Sequence, residues 1–279
     1  MIIHPTAIVD HAAQLGQGVR VGPHAVIEAG AVIGDDCEIM AGAIVHGGVT
    51  MGRGNVLHPH CVIGGEPQVI GFDRATATST ILGDGNVLRE HFTIHRAMKP
   101  GASTRIGNNC YLMASSHVAH DCQVGNNVTM VNYAALAGHC LVEDRAFISG
   151  HVGVHQFTRI GSLAMLGGQA GVGQDVPPFM TVRGGELFYA GLNVVGMRRA
   201  GIPADTRLAL RHCYKELFHS GRMLKNTIEA LRAEFGASAP PEVAHLLDFC
   251  SAPTKRGILM NTLPGRAARG RDLPVDTEE

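Results

Sequence analysis

The stretch IIHPTAIVDHAAQLGQGVRVGPHAVIEAGAVIGDDC, residues 2–37, divides into six-residue pieces that repeat one pattern. Cut as IIHPTA, IVDHAA, QLGQGV, RVGPHA, VIEAGA and VIGDDC, its second places read Ile3, Val9, Leu15, Val21, Ile27 and Ile33. The frame continues through Ile39, Val45, Met51, Leu57 and Ile63, resumes with Leu82, Leu88 and Ile94, and runs without a miss from Ile106 to Val172. Sixth places are mostly small, as in Ala7, Ala25, Cys37, Cys122, Ala134 and Cys140, and glycine recurs in the third.

A period of six fits neither a helix nor an alternating strand. It fits a short strand followed by a sharp bend, stacked on copies of itself. Three such sides close a triangular coil of about 18 residues, and successive coils lie about 4.8 Å apart because their backbones pair as parallel strands. The aliphatic second place then points inward, while glycine and asparagine at the bends supply positive φ. The expected fold is an all-β solenoid, a parallel β-helix of hexapeptide repeats, with α-helices appended.

Two stretches leave the frame. Residues 67–80, PQVIGFDRATATST, shift the phase by one and are expected to form a loop. Residues 97–104, AMKPGAST, keep the phase but contain Pro100 and Gly101, and are expected to bulge outward. Loops that interrupt a regular rod often carry function, because the rod offers only flat faces. Pro177 and Pro178 are expected to end the repeats, giving a β-helix over 1–190 and a helical domain over 191–261. Helices are predicted from about residue 197 onward: one capped by Asp205 and ending near Gly221, a second over LKNTIEALRAEF, and a third from PEVAHLLDF. The tail, 262–279, is polar and expected to be disordered.

Composition narrows the function. A net charge of −1 over 279 residues lacks the positive field of a nucleic-acid binder. No apolar run is long enough to span a bilayer, and MIIHPTAIVD lacks the layout of a signal peptide, so a cytoplasmic protein without membrane insertion is expected. Seven scattered cysteines without a CxxC pair suit free thiols in a reducing compartment.

The period gives SHVAHD, residues 116–121, a geometry. Residues one coil apart share a corner, so His120, Gly138 and Gln156 form one ladder and Asp121, His139 and Phe157 the ladder beside it. His117 starts the side that contains His120, and His155 sits beside Gln156 one coil further on. Such a cluster suits a general base, because an imidazole titrates near neutrality and a neighbouring carboxylate fixes its tautomer. Gly138 could present an unobstructed N–H to an oxyanion. Two other readings stay open: a metal site, which the spacing does not favour, and polar ladders on a solvated face.

At these residues the chain resembles the acyl-carrier-protein:UDP-N-acetylglucosamine O-acyltransferases of lipid A synthesis. The matching strings are TIHRA (93–97), HVAHDC (117–122), LAGHC (136–140), VHQF (154–157), GQDVPPF (173–179) and LNVVGMRR (192–199). The resemblance implies a left-handed β-helix and a reaction in which His120 takes the proton of the sugar 3-hydroxyl as it attacks an acyl thioester. It implies Asp121 as the supporting carboxylate and the Gly138 amide as oxyanion donor. His117, His139 and His155 match histidines of the cleft, and Gln156, Asn193 and Arg199 match nucleotide or phosphate contacts. Gly168 matches the end of the acyl groove, where a glycine leaves room for a longer chain. No metal and no cofactor are implied, the acyl group riding on the phosphopantetheine of acyl carrier protein. Homotrimers with clefts between neighbouring rods are implied, and Arg198, Arg199, Lys215, Arg222 and Lys255 are candidates for docking the carrier.

The Asp-Leu-Lys run usual in the family's first loop is absent, leaving Asp73 and Arg74 as candidate sugar contacts. A related hexapeptide acyltransferase acting on a 3-amino or other nucleotide sugar, and a non-catalytic β-helix, are the alternative readings.

Overall fold

Each hexapeptide folds as expected into a strand of two to four residues whose second place faces inward. The computed structural model describes residues 1–184 and 188–260, and the predicted tail lies outside them. Ile27, Ile39, Val45, Leu57, Ile63, Leu112 and Leu136 are all 1% exposed or less. Burying such a side chain contributes roughly 1.5–3 kcal/mol, and here the burial recurs at every side of every complete coil.

The strands line up in three sheets of eleven, nine and eight strands among the described residues, the three faces of a left-handed parallel β-helix. The first face begins at Ile2–Ile3, the second at Ile8–Val9 and the third at Gln14–Leu15. Along the second face the outward residues run Ile8, Val26, Ile44, Val62, Thr93, His117, Ala135, Gly153 and Gly171, each paired with the next.

Corner geometry departs from expectation. Every sixth residue from Gly18 to His60, and again from Asn109 to Gln169, has φ between 55° and 79°. This is the fifth place of the frame, and histidine, aspartate, tyrosine and phenylalanine occupy it as well as glycine and asparagine. L-residues adopt this region at a cost, so the stacked coils impose the conformation. The third-place glycines serve another purpose. A Cβ on Gly34 would come within 2.6 Å of the Gly52 backbone, and one on Gly107 within 2.7 Å of the Gly125 backbone. They let adjacent coils approach.

Both interruptions are loops, slightly shorter than predicted. Strands resume at Ser79 and at Ser103. Partners 18 residues apart in the uninterrupted coil become 31 apart across the first loop and 24 apart across the second. The second loop therefore inserts one whole hexapeptide and keeps the phase.

The prolines do not end the coil. Val176 bridges Ile160, and Met180–Arg183 extends the first face by pairing in parallel with Met165–Leu166. Phe188–Leu192 then folds back antiparallel on it, so the predicted 190/191 boundary falls inside a strand. Four helices follow: α1 (Val194–Arg199), α2 (Ala204–His219), α3 (Leu224–Phe235) and α4 (Pro241–Ser251). Asp205 is not the cap of α2; Pro203 holds that position, and Asp205 lies in the first turn, where its charge suits the helix dipole. Helix and coil side chains share one core, with Leu210, Leu231 and Leu246 joining the aliphatics of the rod.

Two polar clasps fasten the helices to the rod. Asp175, fully buried, accepts from the Arg159 backbone N–H (2.8 Å), from Arg159 Nε (2.7 Å) and from the Thr254 hydroxyl. Its backbone N–H donates to Gly257 O and its carbonyl accepts from Leu259 N, both at 2.9 Å. His245 of α4 pairs with Glu143 of the coil at 2.8 Å, a contact that holds the imidazole pKa above its ordinary value.

All seven cysteines are free and buried. Burial pushes the thiols of Cys61, Cys213 and Cys250 up to about 12, which leaves them protonated and unreactive.

Candidate active site

The corner between the second and third faces brings the histidine ladders together. The chain leaves strand His117–Val118, turns at His120 and Asp121, and enters Gln123–Val124. One coil on, Gly138 and His139 make the same turn. The His139 N–H donates to His120 O (3.0 Å), and the Phe157 N–H to Gly138 O (3.1 Å), so the rungs are held by backbone. Asp121, His139 and Phe157 all occupy the positive-φ place, at 59°, 60° and 66°.

His120 Nδ1 lies 2.8 Å from Asp121 Oδ2. An ionised carboxylate only accepts, so Nδ1 carries the hydrogen and Nε2 keeps a lone pair for a proton. Asp121 is itself held: its Oδ2 accepts from the Met98 backbone N–H at 3.1 Å, and its own N–H donates to Thr104 Oγ1 at 2.8 Å. Met98 belongs to the second interruption, which thus reaches back to fix the carboxylate. The His120 ring packs against Gly138, where a Cβ would come within 2.6 Å of Nε2. Among the described residues no backbone carbonyl accepts the Gly138 N–H. His120 and Asp121 side chains are 14% and 10% exposed, which strengthens their hydrogen bond without closing the site.

Beside this pair stand three further imidazoles. His139 meets His120 edge to face, with centroids 5.1 Å apart, and its Nε2 lies 3.9 Å from Asp121 Oδ2. His117 Nδ1 is hydrogen-bonded to Thr93 Oγ1 at 2.7 Å, and its ring meets that of His95 at 4.6 Å. Burial, with the adjacent His117 and His120, drives His95 down to about 4, and burial lowers His117 as well. Burial also lowers His139, with Asp121 opposing and His120, Lys99 and Lys255 adding to the effect. From the sequence alone His95 reads as one of the polar residues stacked on a solvated face, whereas the fold buries it, and no role there falls to Thr93 or the Met98 amide. The TIHRA string was the available signal, and only the 24-residue offset across the second loop sets Thr93 beside His117.

Above His117 the outward places of the second face shrink to Ala135, Gly153 and Gly171. A Cβ on Gly153 or Gly171 would meet nothing within 4 Å, and one on Gly168 only Gly150 O at 3.5 Å. The result is an open strip of small residues leading away from His117.

Other predicted residues are placed differently. His155 is exposed, donates from Nδ1 to Gln156 O at 3.2 Å, and makes no ring contact with the other site histidines. Gln156 and Arg199 are exposed. Asn193 caps α1, accepting from the Gly196 N–H and donating to Leu163 O, both at 2.9 Å, so its amide is used inside the fold. Asp73 caps its own turn through the Ala75 N–H at 3.0 Å, and Arg74 pairs with Glu66 at 3.0 Å. The first loop is fastened instead by Arg96, which donates to the carbonyls of Thr76 and Arg74 and lies over Phe72.

His120, Asp121 and His139 each offer one ligand atom, all within 4.8 Å of one another, a set that could hold a metal ion. Coordination through Asp121 Oδ2 would displace the two hydrogen bonds it already accepts. The arrangement as it stands is that of a base, an orienting carboxylate and a neighbouring backbone donor.

Comparison with known proteins places this geometry. Residues 175–259 match the family model described as UDP N-acetylglucosamine O-acyltransferase domain 2, and residues 30–65 and 103–138 match that of the bacterial transferase hexapeptide, six repeats. A relative from Herminiimonas arsenicoxydans, named acyl-[acyl-carrier-protein]–UDP-N-acetylglucosamine O-acyltransferase, is 43% identical over 264 residues, 92% of this chain and 99% of its own. A protein of the same name from Sinorhizobium fredii is 38% identical over 269 residues, 96% of this chain and 97% of its own. The solved structure of Francisella novicida UDP-N-acetylglucosamine acyltransferase matches with a TM-score of 0.88 at 29% identity, over 99% of this chain and 100% of that one. At such identity along nearly the whole length, coil, corner and helices together, this chain belongs to the acyl-[acyl-carrier-protein]–UDP-N-acetylglucosamine O-acyltransferase family.

Proposed function

We propose that this chain transfers a 3-hydroxyacyl group from the thioester of acyl carrier protein to the 3-hydroxyl of UDP-N-acetylglucosamine, the first step of lipid A biosynthesis. The observation that carries the reading is the His120–Asp121 pair packed on Gly138, in a chain of this family. His120 Nε2 takes the hydroxyl proton as the oxygen attacks the thioester carbon. The Gly138 N–H receives the developing oxyanion. Collapse breaks the carbon–sulfur bond, and the imidazolium returns its proton to the departing thiolate. General-base and oxyanion assistance of this kind contribute roughly 10²–10³-fold each. The chemistry needs no metal and no bound cofactor, since the acyl group arrives already activated.

The strip of small residues above His117 suits an extended acyl chain, with Gly168 at its far end. The sugar and nucleotide are bound by His117, His139, His155, Gln156 and Arg199. Asp73 and Asn193 contribute by shaping the first loop and the start of α1. An open corner on a rod needs a second wall, which supports a homotrimer with each cleft between neighbours. No helix among the described residues is long and apolar enough to cross a membrane, in keeping with a cytoplasmic enzyme that meets carrier protein in solution. Incubation with carrier proteins bearing 3-hydroxyacyl chains of graded length and UDP-N-acetylglucosamine tests the reading. A product heavier than the acceptor by one 3-hydroxyacyl group is expected, and absence of product with every donor overturns it.

A further inference from the structure

The ladder that contains Asp121 and His139 does not stop at Phe157. The Phe157 ring stacks on His139 with centroids 4.7 Å apart and an interplanar angle of 9°, and the Lys255 ammonium sits 4.2 Å from the ring centroid. One face of the ring is taken by the imidazole, so the cation lies on the other. Lys255 thereby caps a column that begins at the candidate catalytic pair.

Its position is fixed by its neighbours. The Thr254 hydroxyl donates to buried Asp175, Arg256 Nε donates to Gly173 O at 3.0 Å, and Gly257 O accepts from the Asp175 N–H at 2.9 Å. An exposed lysine on a free segment samples many positions, but here the residues on both sides are tied to the top of the coil. Among the described residues no carboxylate lies within salt-bridge distance of Lys255 or of Lys99. Lys99 comes from the second interruption, one residue past the Met98 amide that holds Asp121. Both ammonium charges reach His139 and oppose its protonation. Two cations from separate segments, neither with a carboxylate partner among the described residues, thus act on the His139 rung, and Lys255 alone rests on the aromatic column.

We infer that Lys255 binds the phosphodiester of the carrier-bound acyl donor's pantetheine arm; this rests on the acyltransferase reading above. With coils about 4.8 Å apart, Lys255 stands two rungs and a ring contact beyond Asp121, roughly 14 Å along the rod. The diphosphate of a sugar nucleotide is only a few bonds from the 3-hydroxyl at the base. The pantetheine arm puts its phosphodiester many bonds from the thioester, which suits a cation at that remove. A cation resting on an aromatic face retains donors for a phosphate.

The test compares acyl-phosphopantetheine with acyl-pantetheine, its dephosphorylated form, as donors for wild type and Lys255→Met. A charge-assisted contact is worth roughly tenfold or more in affinity. Wild type is expected to prefer the phosphorylated arm by KM, and Lys255→Met to lose about tenfold of that preference, with Lys255→Arg restoring most of it. Equal preference in wild type and variant, or a rise only in the KM for UDP-N-acetylglucosamine, overturns the inference. A wild type that transfers no acyl group at all would instead remove the reading on which it rests. Unchanged melting temperatures for both variants separate binding from folding.

Discussion

His120 becomes a base through a neighbour one residue along the chain. Asp121 accepts a hydrogen bond from its Nδ1, and a distant loop and a threonine hold Asp121 in turn. The sequence made the pair visible, because an 18-residue period puts 120 over 138 and 121 over 139. It did not reveal His95, whose neighbours depend on the length of an inserted loop. Yet His95 shows the strongest response to burial of any imidazole at the site. Its ordinary pKa of 6.5 falls to about 4 in the fold. Above pH 6.5 both folded and unfolded chains hold it neutral, and its full contribution is present. Below that value the unfolded chain binds a proton that the fold refuses, so stability declines until about pH 4, by about 2 kcal/mol at pH 5. Urea unfolding at pH 7 and pH 5 should therefore show a larger loss for wild type than for His95→Asn. Equal losses would contradict a buried neutral imidazole.

At the scale of elements, the repeat strands were legible to the residue, since the buried second place recurs whatever the surrounding loops do. The helices over 224–235 and 241–251 were legible for a similar reason, their apolar residues recurring at three and four. The strand Phe188–Leu192 was not, because an antiparallel return on the last coil obeys no six-residue phase. Nor was the path of residues 254–259, which is set at the end of the rod by the buried carboxylate and the backbone of Asp175 together with the Arg256 contact to Gly173 O. That clasp gives a direct prediction. Asp175→Ala leaves Arg159, largely buried, with only the Phe249 carbonyl and ring as partners among the described residues, and removes the Thr254 anchor of the segment that carries Lys255. The expected cost is about 3–5 kcal/mol, seen as a lower melting temperature, with faster amide exchange at Asp175 partners such as Leu259. Asp175→Asn should lose less. Unchanged exchange at Leu259 would show that the segment is held by other contacts.

Over the whole molecule, a monotonous stack becomes a specific site only where it is interrupted. The uninterrupted coils below residue 63 present flat faces; the first loop is tied down by Arg96, the second supplies Met98 and Lys99, and the C-terminal return supplies Lys255. Rod, loops and helices converge on one corner, and everything proposed for it depends on proton transfer at His120. The most direct measurement is acyl transfer by wild type and His120→Ala under identical conditions, with product identified by mass and the fold checked by melting temperature. The account predicts that the variant melts as wild type does and transfers at least 10²-fold more slowly. A folded His120→Ala protein that transfers at the wild-type rate would contradict it.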